Sequence, residues 1–96
     1  MGPRQTVWQA ASDQRVLWRY WDGDYVVFSP LSGETLSLDI VSGKVLTLIL
    51  DWPTTSYTLQ SEVADFLGVE DDAALTDAVR EILRRLDQAG FVEPRT

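Results

Sequence analysis

Apolar and polar residues change their rhythm once along this chain. Up to Asp39 they alternate. Val16, Trp18 and Tyr20 fall on one side of an extended run, and Leu17, Arg19 and Trp21 on the other, the period of two that a strand requires. Asp22-Gly23 follows, a pair that tolerates the positive φ of a tight hairpin turn. Residues 25–29, YVVFS, make a second strand, and Pro30 ends it by withdrawing a backbone donor. Ser32-Gly33 turns the chain again. In residues 35–39, TLSLD, leucines then alternate with hydroxyl side chains as a third strand. Three strands with two short connections predict an antiparallel meander.

After Asp39 the period lengthens. Val41, Val45, Leu48 and Ile49 recur at helical spacing. Asp39 suits the N-cap, where its carboxylate accepts from orphan amides. Gly43 weakens this helix by about 1 kcal/mol relative to Ala, and Trp52-Pro53 stops it. A second helix is predicted over about 59–67, with Leu59, Val63, Phe66 and Leu67 as its apolar residues, Thr58 as cap and Gly68 just past its end. The third helix follows Glu70-Asp71-Asp72, whose negative charge suits a helix start. Leu75, Val79, Ile82, Leu83 and Leu86 form its stripe, Arg84 and Arg85 favour its C-terminal end, and Gly90 closes it. Phe91-Val92 then fold back as a short extended piece. The order specifies an α+β, winged helix-turn-helix-like domain: a three-stranded antiparallel sheet followed by three helices, which cover its apolar face.

Residues 1–14 are polar and aperiodic and read as a flexible N-terminal arm, from which Trp8 either folds back onto the domain, the preferred reading, or lies exposed for a partner. Residues 15–93 form the domain and 94–96 a C-terminal tail. Trp18 and Phe28 are expected in the core, Tyr25 in a cross-strand aromatic stack, and Trp21 either there or on a partner-facing surface.

Composition removes several functions. The 96 residues include no Cys and no His, which excludes disulfides, thiolate nucleophiles, imidazole catalysis and zinc sites built from those ligands. No cofactor is expected. Glu70, Asp71 and Asp72 are helix-start charges rather than a metal cluster, since consecutive carboxylates do not converge on one ion. A net charge of -7 repels phosphate backbones. The third helix carries Asp77, Glu81 and Asp87 beside its arginines, so neither a DNA-binding winged helix nor any nucleic-acid partner is favoured. No apolar run approaches the ~20 residues of a membrane span, and no basic-plus-apolar segment opens the chain. The expected location is the cytoplasm, without membrane association.

With these elements in order, the stretch from Trp18 to Asp39, the helix ending before Trp52-Pro53, and the two further helices leading to Gly90-Phe91 resemble the PqqD-like proteins. The likeness is to the branch called HPr-rel-A system PqqD family peptide chaperones. There, a strand close to "vv-y-p-SG-TH-L" precedes the first helix, and Val26, Val27, Phe28, Pro30, Ser32, Gly33, Thr35 and Leu38 take those places here. Leu36 stands where that branch often has histidine. The resemblance spans about residues 8–92. It implies a recognition element for ribosomally made, post-translationally modified peptides. The leader of a precursor peptide would lie between the third strand and third helix, add a strand to the sheet, and be presented to a separate modifying enzyme. The branch takes its name from gene neighbourhoods that encode an HPr-kinase-related protein, so a scaffold or regulator of that partner is the alternative.

Strand addition also has a basis in the residues themselves. An edge strand leaves alternate backbone N–H and C=O groups unpaired, and an extended peptide can satisfy them. Thr35, Leu36, Ser37, Leu38 and Asp39 include neither proline nor lysine to block this, although the same five residues also read as ordinary strand with Leu36 and Leu38 in the core. On the third helix, Asp77, Arg80, Glu81, Arg84 and Gln88 are the polar candidates for the facing wall. Arg80, Arg84 and Arg85 are able to pair with acidic leader residues, while Glu81 and Arg85 at i,i+4 also read as a surface pair that merely supports the helix. The same free edge permits a weak homodimer in place of a monomer. These features fit a non-catalytic peptide adaptor.

Overall fold

The computed structural model describes residues 6–11, 17–21, 24–28, 33 and 35–95. Within them the elements run β1 (Val7–Ala10), β2 (Leu17–Trp21), β3 (Asp24–Phe28), β4 (Thr35–Leu38), α1 (Ile40–Asp51), β5 (Thr54–Thr55), α2 (Ser56–Leu67), α3 (Ala73–Gln88) and β6 (Val92–Arg95). The fold is the expected one, a three-stranded antiparallel sheet in the order β2-β3-β4 followed by three helices.

The sheet register explains which side chains reach the core. Trp18 lies opposite Val27, and Val27 opposite Leu36; Tyr20 lies opposite Tyr25, and Tyr25 opposite Leu38. These six share one face. Val27 and Leu38 are fully buried there. The same alternation turns Leu17, Arg19, Val26, Phe28, Thr35 and Ser37 to the other face. Phe28 is therefore 36% exposed rather than in the core. Trp18 is 37% exposed despite lying on the inner face, because α1 packs against β3 and β4 and β2 is the far edge strand. Tyr25 makes the predicted stack, meeting Trp18 edge-on at 5.6 Å and Tyr20 at 5.2 Å between ring centroids. Asp22, Gly23, Pro30 and Ser32, read as turn and strand-ending residues, lie outside the described residues. Gly33 has φ +74°, a conformation open to glycine.

Helix α1 starts and stops where the sequence indicates. The Asp39 carboxylate accepts from the Ser42 N–H at 2.8 Å. Gly43 has a packing reason: a Cβ there would lie 2.7 Å from Cδ2 of Tyr25, so the glycine lets α1 approach the sheet. Helix α2 begins three residues before its expected start. Thr55 is the cap in place of Thr58, its hydroxyl oxygen accepting from the Thr58 N–H at 3.1 Å. Leu59, Val63 and Ala64 are its buried residues, whereas Phe66 and Leu67 are exposed; the Lys44 ammonium stands 5.4 Å from the Phe66 ring centroid, a cation–π arrangement. Asp72 caps α3 by accepting from Leu75 N–H at 3.0 Å. Leu75, Val79, Leu83 and Leu86 are buried and Ile82 half-buried.

The chain termini depart most from expectation. Residues 7–10, within the predicted loose arm, form β1, the middle strand of a second sheet ordered β5-β1-β6. Pro94 and Arg95, read as tail, belong to β6. Pairing across the chain supplies the order: Gln9 stands opposite Glu93, donates to its carboxylate at 3.2 Å and accepts from Arg95 Nε at 3.0 Å. Trp8 packs against the core as anticipated. Phe91, fully buried, turns the chain from α3 into β6. No described helix is long and apolar enough to cross a membrane.

Candidate functional site

The free margin of β4 is the first half of the candidate site. This strand pairs with β3 on one side and, among the described residues, with no strand on the other. An antiparallel partner takes up the hydrogen-bonding groups of alternate positions, so the remaining N–H and C=O groups of Thr35–Leu38 point away from β3. Leu38 is buried and Leu36 half-buried, while Thr35 and Ser37 are exposed. The leucines fix the strand to the core, so the edge is rigidly held. Asp39 is exposed and occupied in capping α1.

Helix α3 carries the second half. Asp77, Arg80, Glu81, Arg84 and Gln88 are all exposed, and their spacing places them on one side of the helix, away from the Leu75–Leu86 stripe. The Arg84 guanidinium grips Glu81, donating from Nε at 2.8 Å and also from its terminal nitrogen. This i,i+3 pair replaces the expected Glu81–Arg85 pair. The hydrogen bond from Arg84, helped by the charges of Arg84 and Arg85, holds the Glu81 carboxyl below the usual carboxylate range, and Glu81 in turn raises Arg84. Helix α1 packs on both β4 and α3, so the two halves are attached to the same core helix. No metal-binding group of three His, Cys, Asp or Glu side chains occurs among the described residues.

A groove of about 420 Å³ opens on another flank of α3. Its walls are Trp8 from β1, Gln60 from α2, and Val79, Arg80, Leu83 and Asp87 from α3. Gln60 is fixed across the wall, its amide donating to the Thr76 hydroxyl at 2.7 Å and also to the Asp71 carboxylate. Arg80 and Arg84 of the predicted set border this groove; the β4 residues do not. Trp8 and Gln60 were missed because the groove exists only once β1 has paired with β6. The one local signal was Trp8 itself, a large apolar residue in a polar stretch.

No family model matches the chain, and no curated protein matches it. Among solved structures it is similar to TbiB1 in complex with the TbiA(beta) leader peptide, at 16% identity over 92% of this chain and 98% of that one, with a TM-score of 0.71. At that identity the two proteins share a fold, over nearly the whole of both chains.

Proposed function

We propose that this chain is a non-catalytic peptide adaptor of the PqqD-like kind. It binds the leader of a ribosomally made precursor peptide in the cytoplasm and presents it to a modifying enzyme. The leader adds as a fourth strand along the outer edge of β4 and the Asp39 that follows it, residues 35–39. Polar residues of α3 (Asp77, Arg80, Glu81, Arg84 and Gln88) contact it from the side. The observation that carries this reading is the β4 edge, held in place by Leu38 and free of a described partner strand. The fold shared with TbiB1, a protein solved with a leader peptide bound, supports it.

The chemistry asked of the domain is modest. Backbone hydrogen bonds provide sequence-tolerant affinity, and neighbouring side chains choose the register. Of the α3 cations, Arg80 is the readier to pair with a leader carboxylate, because Arg84 is already engaged by Glu81. The test is titration of the isotope-labelled domain with synthetic leaders of precursors encoded beside its gene. Amide shifts centred on residues 35–39, with a second set on 77–88, are expected. Failure of every leader, together with binding to the HPr-kinase-related protein, would overturn the reading in favour of a scaffold.

A further inference from the structure

Residues 39–72, from the cap of α1 to the cap of α3, hold seven carboxylates and one lysine. Six of the chain's seven net negative charges therefore lie on α1, α2 and the turns beside them. The one cation of this stretch, Lys44, stands over the Phe66 ring. The last turn of α1 has no basic residue, although a helix C-terminus favours a cation. It ends instead on Asp51, and Glu62 stands on α2, which packs against α1. Both carboxylates are exposed, and neither joins an ion pair among the described residues.

A cavity of about 240 Å³ opens at this end of α1. Leu48, Trp52 and Pro53 line it from the end of α1, and Thr54, Thr58 and Glu62 from β5 and α2. Trp52 is 76% exposed, and a tryptophan so open to water is a recurrent anchor at protein interfaces. An indole, a short apolar wall and an unpaired carboxylate in one cavity fit an arginine side chain. Its guanidinium stacks on the ring, its methylenes lie along the half-buried Leu48, and its N–H groups pair with Glu62. An acidic ligand would instead meet Glu62, Asp51 and the negative end of α1. A second copy of the chain, itself of net charge -7, is repelled at long range, so the charge calls for a basic partner.

We propose that the cavity at Trp52 is a docking site for an arginine on a basic face of a partner protein. The arginine chemistry stands on Trp52, Glu62 and the charge of residues 39–72. That the partner is the modifying enzyme rests on the reading of the chain as a leader-presenting adaptor. In that reading the leader occupies β4 and α3, which leaves the far end of α1 to the enzyme. Helix α1 begins where β4 ends and has 12 residues, a length of about 18 Å. The two sites therefore lie at opposite ends of one helix and can be filled together.

The test titrates acetyl-arginine-amide, and its uncharged isostere acetyl-citrulline-amide, into the full chain. The readout is the Trp52 indole N–H in NMR, assigned by its loss in Trp52→Phe. The arginine probe is expected to shift that resonance saturably and to bind about tenfold more tightly than the citrulline probe. Glu62→Gln, at an exposed position, is expected to remove most of that difference. Equal binding of the two probes, or an unmoved Trp52 indole, would overturn the site. In a second measurement, the modifying enzyme encoded beside the gene is titrated into the leader-loaded chain by calorimetry. Glu62→Gln and Trp52→Ala are each expected to weaken its binding about tenfold, with the leader's amide shifts at residues 35–39 unchanged. Unchanged enzyme affinity in both variants, or a Trp52-dependent self-association of the free chain in analytical ultracentrifugation, would overturn the assigned partner. If arginine binds at Trp52 while no leader moves residues 35–39, the site stands and the β4 reading falls.

Discussion

Replacing Gly43 with Ala tests how closely α1 must approach the sheet that carries the β4 edge. On helix propensity alone the change should stabilise α1 by about 1 kcal/mol. The structure opposes it. The new Cβ would stand 2.7 Å from Cδ2, 3.2 Å from Cε2 and 3.4 Å from Cγ of Tyr25, so the ring would have to retreat by roughly 1 Å to restore normal carbon spacing. It has little room, since it already meets Trp18 and Tyr20 edge-on and stands across the ladder from Leu38. Overpacking of this kind costs about 1–3 kcal/mol. The net expectation is destabilisation by about 1 kcal/mol, seen in urea unfolding as a midpoint lowered by roughly 0.5–1 M with an unchanged slope. In a Tyr25→Ala background the obstruction is gone, and the same substitution should then stabilise by about 0.5–1 kcal/mol through propensity. A stabilised Gly43→Ala single variant would refute the reasoning, because the contact would then impose nothing.

Three further outcomes are expected. Asp39→Ala removes the α1 cap and should lower stability by about 1 kcal/mol in urea unfolding. The Glu81 carboxyl should titrate below a free glutamate in NMR pH titration, and Arg84→Gln should return it to the ordinary range; the depressed value means that the pair's contribution is present above the unfolded carboxylate pKa and lost as pH falls through the folded one, and added salt should shrink it because both groups are exposed. Phe91→Ala empties a fully buried position where α3 joins β6 and should cost about 3–5 kcal/mol by thermal or urea unfolding.

Local chemistry made much of the fold legible. Asp39 and Trp52-Pro53 bracket α1 in sequence as they do in the structure, and the alternation in residues 35–38 marks β4 without help from its neighbours. Phe28 was misplaced because its size outweighed the alternation that puts Val27 inward. The start of α2 was ambiguous for a physical reason: Thr55 and Thr58 are both competent caps, and the pairing of β5 with β1 decides between them. Strand β1 was illegible locally. Its four residues are all half-buried, so no in-out pattern marks them, and their partners lie far along the chain, at Thr54–Thr55 in β5 and, more than eighty residues away, at Val92–Arg95 in β6. The candidate site divides in the same way. The β4 edge and the polar side of α3 could each be read from spacing, whereas the groove, which needs β1, α2 and α3 together, could not.

The central claim is that a leader peptide pairs with the open edge of β4, and hydrogen exchange of the β4 amides with and without bound leader tests it most directly. In the free chain, the amides of Thr35–Leu38 that face away from β3 should exchange fast while those paired with β3 are protected. On saturation with leader, the outward amides alone should become protected, with intermolecular contacts from their neighbours to the peptide backbone. A leader that binds while the outward β4 amides keep their free-state exchange rates would contradict the account.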